Sequence, residues 1–262
     1  MPSRRLDREL VSRGLARSRG QAQALITAGQ VRVAGSTVRK PAELVDPSSR
    51  IEADSDPYVS RAAHKLLGAL ADLPIEVAGR ALDAGASTGG FTQVLLERGA
   101  SEVVAVDVGT DQLHPVLRTD PRVRVWEQTN LRQLTLAHVS DRPVDLVVAD
   151  VSFISLTMLL GPLVRVTAPS GSLLVMVKPQ FEVGRALLGK GGVVRSPAQQ
   201  RAAVESVLEQ AAALGWYPRA AAPSRLSGPA GNREFFVWLR TDLPGARLDL
   251  DALVAPAEHL GD

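Results

Sequence analysis

Cysteine is absent from the 262-residue chain, which excludes disulfides, thiolate metal sites and cysteine nucleophiles. Aromatic residues make up only 4% of it, and no apolar run has the roughly 18 residues that a membrane-spanning helix needs. The N-terminus lacks an apolar segment of signal-peptide length, so we expect a cytoplasmic protein and no membrane partner. The four histidines are scattered without the spacing of metal ligands, and we therefore expect no metal.

The charge of the chain is distributed unevenly. Hydrophobic residues at 45% and charged residues at 22% are typical of a globular protein, and the length fits one large domain plus a small one. Residues 1–40 contain nine Lys or Arg against two acidic residues, a net charge of +7, whereas the remainder sums to −5. This division predicts that the N-terminal part binds a polyanion.

The first 40 residues read as two helices followed by a hairpin. An amphipathic helix is predicted over residues 5–13, ended by Gly14, and a second over residues 19–27 with Ser18 as its N-cap. Alternating residues over 31–39, interrupted by a turn at 34–36, predict the hairpin.

This arrangement resembles the S4 RNA-binding domain over about residues 3–50. The matching residues are Arg5-Leu6-Asp7, Leu10-Val11, Gly14-Leu15-Ala16, Ser18-Arg19, Ala22, Gly29, Val31, Val33 and Gly35. The resemblance implies that the helix pair binds structured RNA through phosphate and shape. The candidate RNA contacts are Arg4, Arg5, Arg17, Arg19, Arg32 and Lys40, together with Arg61 and Lys190 further along the chain. A solvated basic helix pair without a ligand is the alternative.

The domain boundaries follow from composition. Residues 41–58 are polar, acidic and proline-containing, which predicts the end of the small domain and a linker. We expect the small domain over residues 1–56, the linker over 57–61, the large domain over 62–245 and a C-terminal tail over 246–262.

The large domain alternates apolar strands with helices. Strands are predicted at 81–83, 103–106, 123–126, 144–148, 173–177 and 235–239, and long helices at 91–98, 156–166 and 198–214. Such alternation indicates an α/β fold, with a Rossmann-like parallel sheet covered on both faces. Ligands in such sheets bind at the carboxyl ends of the strands.

A glycine-rich turn, Asp83–Phe91, follows the first of these strands. Such a turn lets a nucleotide-like ligand approach the backbone, and Asp107 after the next strand could hold ribose hydroxyls. A dinucleotide site is the rival interpretation, but Ser87 occupies the place of the middle glycine of that motif. An acid opening the turn suits a cofactor with a cationic amino-acid end, which S-adenosylmethionine has. From this motif alone, a methyltransferase and a dehydrogenase both remain open.

Four charged residues are predicted to meet at one edge of the sheet. Lys65 precedes the first strand, Asp150 and Lys178 end the fourth and fifth strands, and Glu234 begins the last. Their order and context resemble the Lys-Asp-Lys-Glu tetrad of FtsJ-type ribose 2′-O-methyltransferases. Buried salt bridges with a purely structural role are the alternative.

Nearly the whole chain, apart from its tail, resembles the TlyA family of 16S/23S rRNA (cytidine-2′-O)-methyltransferases, in which an S4 domain precedes an FtsJ-like domain. The segments that carry the resemblance are 58–61, 82–92, 149–156 and 177–182. It implies S-adenosylmethionine as cofactor, ribosomal RNA or ribosomal subunits as partner, and sensitivity to capreomycin. One departure is Ala62-Ala63, where the family often has glycine. The oligomeric state stays open, with a monomer as the default.

Chemistry suggests a role for each tetrad residue. A 2′-hydroxyl must lose its proton as it attacks a sulfonium methyl group, and we expect Lys178 to accept that proton and Lys65 to stabilise the developing alkoxide. Asp150 and Glu234 would orient the lysines. The expected cofactor contacts are Asp83, Gly85, Ser87, Thr88, Gly89, Gly90, Phe91, Asp107, Asn130 and Asp150. A non-catalytic ribosome-assembly factor and a membrane-active hemolysin-like protein are the alternative functions.

Overall fold

The computed structural model describes residues 3–16, 18–54, 56–184, 188, 190–242 and 246–256. The chain divides into two compact units, Met1–Pro57 and Tyr58–Asp262. Among the described residues, no helix is long and apolar enough to cross a membrane.

The first unit packs two short helices against short antiparallel strands. Its elements are β1 (Arg4–Arg5), α1 (Leu6–Ser12), α2 (Arg19–Thr27), β2 (Val31–Val33), β3 (Ser36–Thr37), β4 (Leu44–Val45) and β5 (Ile51–Ala53). Strand β1 pairs with β4, and β2 lies between β3 and β5. Apolar side chains of both helices and of β2, β4 and β5 form one buried cluster, so this unit has a core of its own.

The predicted helix pair and hairpin of this unit are confirmed. The Ser18 hydroxyl accepts a hydrogen bond from the Gln21 backbone N–H at 3.2 Å, as expected of an N-cap, and Gly14 follows α1 with a φ of +70°. Residues 41–58, predicted as the end of the small domain and a linker, contain β4 and β5, two strands that were not predicted. Val45 and Ile51 are buried there, and a two- or three-residue strand is too short for its alternation to stand out.

The second unit is built on a seven-stranded sheet in the order β11-β12-β10-β9-β6-β7-β8. Its helices and strands are α3 (Ala62–Asp72), β6 (Arg80–Ala84), α4 (Gly90–Glu97), β7 (Glu102–Val106), α5 (Pro115–Arg118), β8 (Val123–Trp126), β9 (Val144–Ala149), α6 (Leu160–Val166), β10 (Thr167–Val177), α7 (Pro179–Glu182), α8 (Pro197–Ala213), β11 (Tyr217–Pro223), β12 (Phe235–Arg240) and α9 (Leu250–Val254). Two apolar clusters cover the two faces of the sheet. The predicted α/β class, with helices on both faces, is confirmed.

The sheet is parallel from β8 to β10 and antiparallel beyond it. Strands β12 and β11 pair antiparallel with β10 and with each other, so the sheet is mixed rather than wholly parallel. Strand β11 was not predicted. It contains Pro218 and Pro223 and lies at the edge of the sheet, where a residue without a backbone N–H is tolerated.

Candidate active site

Three elements deliver charged side chains to the same edge of the sheet. Strands β9 and β10 are parallel, so Asp150 and Lys178, which follow their last residues, emerge side by side. Strand β12 runs the opposite way and pairs its first residue, Phe235, with Val177. Glu234, one residue earlier, therefore lies at this edge as well. The predicted convergence depends on this reversal of β12.

The first charged pair joins the ends of β9 and β10. The Lys178 Nζ lies 2.5 Å from the Asp150 Oδ1 and donates a hydrogen bond to the Ser152 hydroxyl at 2.9 Å. The side chains of Lys178 and Asp150 are 9% and 14% exposed, so the pair is shielded from most solvent but reachable from one side. Ser152 was not singled out in the sequence, where a serine two residues after the strand carries no distinctive signal.

The second charged pair joins α3 to the start of β12. The Lys65 Nζ donates to the Glu234 Oε2 at 2.5 Å, with side-chain exposures of 5% and 0%. The other carboxylate oxygen, Glu234 Oε1, is buried without a hydrogen-bond partner among the described atoms. The tetrad is therefore two lysine–carboxylate pairs, in which each lysine is held by one acid.

The lysine cavity, of about 260 Å³, brings the two pairs to one space. Lys65, Lys178, Asp150 and Ser152 all line it. Glu234 lies behind Lys65 and is not part of the wall. The other lining residues are Ser60, Arg61, Ala62, Gly85, Ala86, Ser87, Thr88, Phe91 and Pro229.

A neighbouring cavity of about 450 Å³, here called the Asp107 cavity, shares Gly85, Ser87, Asp150 and Ser152 with the lysine cavity. Its remaining wall combines apolar and polar side chains from Asp107, Val108, Gln112, Thr129, Asn130, Leu131, Val151, Phe153, Ile154 and Leu159. The volume suits a small ligand. The two cavities together thus offer one space for a nucleoside-like ligand and an adjoining one lined by lysines.

The glycine-rich turn is fixed to Asp107. The carboxylate of Asp107 accepts the Ser87 backbone N–H at 2.8 Å and the Gly109 backbone N–H at 2.7 Å. Ser87 adopts a φ of +47°, in the left-handed region that favours glycine. This explains how a serine can stand in the middle of the turn, because Asp107 holds its backbone in place. Asn130 also lines the Asp107 cavity, and its side chain caps a short 3-10 turn by accepting the Arg132 N–H.

Three residues expected at the cofactor do not reach either cavity wall. Gly89 and Gly90 begin α4, and a Cβ on Gly90 would lie 2.9 Å from the Ala63 backbone nitrogen, while one on Gly89 would meet leucine side chains of the α5 region. These glycines allow close packing of α4 against its neighbours. Asp83 is fully buried in β6, where its Oδ2 accepts the Thr92 hydroxyl at 2.6 Å and its Oδ1 has no partner among the described atoms.

Burial raises the pKa of Asp83 to about 7, against the opposing hydrogen bond from Thr92. Between about pH 4 and 7 the folded chain thus holds a proton that the unfolded chain has lost. Stability must fall as the pH rises through this range. We expect the free energy of unfolding to drop by a few kcal/mol between pH 5 and pH 8, and Asp83→Asn to remove most of that drop. Urea denaturation of the wild type and of Asp83→Asn at pH 5 and pH 8 measures this change. An equal change in the free energy of unfolding for the two proteins would contradict the assignment.

The arginines expected to bind RNA in the first unit are largely tied to carboxylates. Asp7 is buried and accepts hydrogen bonds from Arg5 at 3.0 and 3.1 Å and from Arg19 at 2.9 Å. The Arg5 guanidinium, and after it Arg19 and Gln23, hold the pKa of Asp7 far below its usual range despite burial. Arg4 lies 3.6 Å from Glu9, which also binds Arg13 at 2.9 Å. Each acid therefore fixes two guanidinium groups and leaves one net positive charge.

The remaining expected RNA contacts are placed unequally. Arg32 is exposed and lies 3.6 Å from Asp54, and Lys40 is exposed with no ion pair among the described residues. Arg61 is exposed at the rim of the lysine cavity and donates to the Ser227 carbonyl at 3.4 Å. Arg17 lies outside the described residues. Lys190 falls in a short 3-10 turn, Lys190–Gly192, and its side chain lies outside the described part.

Two features of this region had no clear signal in the sequence. Phe153 is 92% exposed, with a φ of +65°, beside the Asp107 cavity, where its ring lies 5.3 Å from that of Phe181. Asn232 is buried and joins two loops, since its Oδ1 accepts the Val194 N–H at 2.9 Å and its Nδ2 donates to the Gly192 carbonyl at 3.0 Å. Phe153 lies in a segment that carries the family resemblance, and Asn232 precedes Glu234 without a motif of its own.

Comparison with known proteins assigns the family. Residues 58–241 match the model of FtsJ-like methyltransferases and residues 4–51 that of the S4 domain. The 16S/23S rRNA (cytidine-2′-O)-methyltransferase TlyA of Mycobacterium tuberculosis is 53% identical, with 90% of each chain covered. The 23S rRNA (cytidine-2′-O)-methyltransferase TlyA of Campylobacter jejuni is 36% identical over 74% of this chain and 76% of the relative. A solved structure from Streptococcus thermophilus, described as a hemolysin, is 37% identical in sequence. The match covers 97% of this chain and 95% of that chain, with a TM-score of 0.76. The chain belongs to the TlyA family of FtsJ-like methyltransferases and begins with an S4 domain.

Proposed function

We propose that the protein transfers a methyl group from S-adenosylmethionine to the ribose 2′-hydroxyl of cytidine in 16S rRNA, 23S rRNA or both. The observation that carries this is the lysine cavity, in which Lys65 and Lys178 face the space next to the Asp107 cavity. Membership of the family and the names of the relatives support the substrate class.

The donor set of the Asp107 cavity fits S-adenosylmethionine. A carboxylate, Asp107, suits ribose hydroxyls, and the apolar side chains of Leu131, Ile154 and Leu159 suit a purine ring. Asp150 lines both cavities and therefore lies at the boundary between them. We infer that Gly85, Ser87, Asp107, Asn130 and Asp150 hold the cofactor. When bound, it supplies an electrophilic methyl group on a sulfonium.

The two lysines have different roles toward the acceptor hydroxyl. Lys178, held by Asp150 and Ser152, is placed to accept the proton of the 2′-hydroxyl, a role that requires it to have given up its own extra proton first. Lys65, held by Glu234, places a positive charge where negative charge develops on that oxygen.

The RNA partner is proposed to bind first through the S4 domain. Arg4, Arg5, Arg19, Arg32 and Lys40 offer positive charge there, and Arg61 offers it at the rim of the lysine cavity. Contacts of this kind position an enzyme on RNA without reading the base. We further propose the domain limits given above, with residues 1–56 as the RNA-binding domain and 62–245 as the catalytic domain.

The test is direct mapping of methylation. Purified 30S and 50S subunits from a strain that lacks the gene are incubated with the protein and labelled S-adenosylmethionine, and 2′-O-methyl positions are mapped in both rRNAs. We expect label at discrete cytidines of one or both rRNAs, absent without the protein. Label on a base or on protein alone would reject the proposed acceptor. No transfer, with cofactor binding intact, would favour a non-catalytic assembly factor.

A further inference from the structure

A third cavity, of about 910 Å³, lies outside the proposed active site. It is bounded by the start of α8, the end of β11, the loop before β12 and helix α9. We call it the arginine groove, after Arg195, Arg225 and Arg233 in its wall. We propose that this groove binds the phosphate backbone of the rRNA strand next to the nucleotide being methylated. This inference rests on the proposed function.

The wall of the groove carries an excess of positive charge. Three guanidinium groups face one carboxylate, Asp72, which pairs with Arg225 through its two oxygens. Arg233 donates to the Val254 carbonyl at 2.6 Å and the Ala255 carbonyl at 2.9 Å, both of them neutral groups. Arg195 is exposed, and none of the described carboxylates pairs with it. Arg195 and Arg233 therefore keep their positive charge, whereas Arg225 is neutralised by Asp72, and guanidinium groups without a carboxylate partner are suited to phosphate.

The groove lies beside the lysine cavity at the same edge of the sheet. The loop that precedes β12 separates them, with Ser227 lining the groove and Pro229 lining the lysine cavity. Arg61, at the rim of the lysine cavity, donates to the Ser227 carbonyl. From β10, which carries Lys178, to β11 is two strand spacings, or about 10 Å. If an RNA strand places one ribose in the lysine cavity, the nucleotides next to that ribose are therefore close enough to reach the groove.

The groove also contains an unused hydrogen-bond acceptor. Gln200, in the first turns of α8, is 3% exposed and donates from its Nε2 to the Val194 carbonyl at 2.8 Å. Its Oε1 is buried with no partner among the described atoms. A phosphodiester has no hydrogen-bond donor to offer this oxygen, so RNA would satisfy it through a ribose hydroxyl or a base amino group.

The test uses Arg195→Ala, because Arg225 and Arg233 also fasten α3 and α9, and their loss would disturb the fold. Arg98→Ala is the matched control. Arg98 is exposed, has no ion pair among the described residues, and follows α4 at the opposite edge of the sheet. Binding of each full-length variant to purified 30S and 50S subunits is measured at several salt concentrations, with steady-state methyl transfer and S-adenosylmethionine binding alongside.

We expect Arg195→Ala to raise the KM for the ribosomal subunit about tenfold, with kcat and the Kd for S-adenosylmethionine unchanged. The slope of log affinity against log salt should become shallower by about 0.7 to 0.9, the loss of one phosphate contact. Arg98→Ala should match the wild type in all of these. An Arg195→Ala chain that binds subunits with the wild-type slope would overturn the groove assignment.

The two proposals fail in different ways. If the wild type binds subunits but transfers no methyl group to them, the proposed function is rejected, while the salt slope of binding still decides whether the groove contacts RNA. If the wild type methylates rRNA and Arg195→Ala leaves the KM and the salt slope unchanged, the proposed function is supported and RNA binding by the groove is rejected.

Discussion

Replacing Lys178 with alanine is expected to lower kcat for methyl transfer by about 10²- to 10⁴-fold, the usual contribution of a general base. Binding of S-adenosylmethionine should stay within a few-fold, because Lys178 lines the lysine cavity and not the Asp107 cavity. Single-turnover transfer to the ribosomal subunit measures the first quantity and isothermal titration calorimetry the second. Full activity in Lys178→Ala would remove this residue from the mechanism.

Lys178→Arg distinguishes proton transfer from charge. Arginine keeps the positive charge and can pair with Asp150, but it does not release its proton in a protein. We expect this variant to be as inactive as Lys178→Ala while it folds and binds cofactor normally. Activity close to wild type would show that Lys178 acts only as a cation, and the proton would then have to leave by another route.

Breaking the second pair is expected to cost stability as well as activity. Glu234→Ala leaves the Lys65 ammonium, 5% exposed, without its carboxylate. Removing one partner of a buried ion pair typically costs about 3 to 5 kcal/mol. We therefore expect a loss of about that size in urea denaturation, together with loss of methyl transfer. Glu97→Ala, on the exposed end of α4, is the matched control and should change little.

A double replacement separates the two roles of this pair. Lys65→Met with Glu234→Leu removes both charges and keeps similar volume, which in other proteins is neutral or stabilising. We expect stability to return to near the wild-type value while methyl transfer stays lost, because the cation facing the acceptor is gone. Recovery of activity in the double variant would show that Lys65 only holds α3 against β12.

The sequence predicts the edge of the sheet well because its strands are apolar runs that end in charged residues. Asp150 and Lys178 could be placed side by side for this reason, and in the structure they lie 2.5 Å apart. Glu234 was harder to place, since only the reversed direction of β12 brings it to that edge. Strand direction is a long-range property that alternation within one segment does not encode.

Depth below the surface was not predictable from the motif. Asp83 and Ser87 stand four residues apart in one glycine-rich turn, yet the first is fully buried and the second is exposed and bound to Asp107. Likewise, Arg5 and Arg19 were predicted as RNA contacts from the sequence, which gave no sign that the buried Asp7 holds both of them. Spacing shows which residues share a region, whereas tertiary packing decides which atoms of that region a ligand can touch.

The two residues of the Lys65–Glu234 ion pair are 169 positions apart in the sequence. During synthesis Lys65 leaves the ribosome long before Glu234 does, and domains are completed in that order. A nascent or truncated chain that stops before β12 therefore has an isolated ammonium where the finished enzyme has a neutralised pair. Such an incomplete chain should be unable to modify the very ribosome that is making it, so activity begins only after the last strand has been translated.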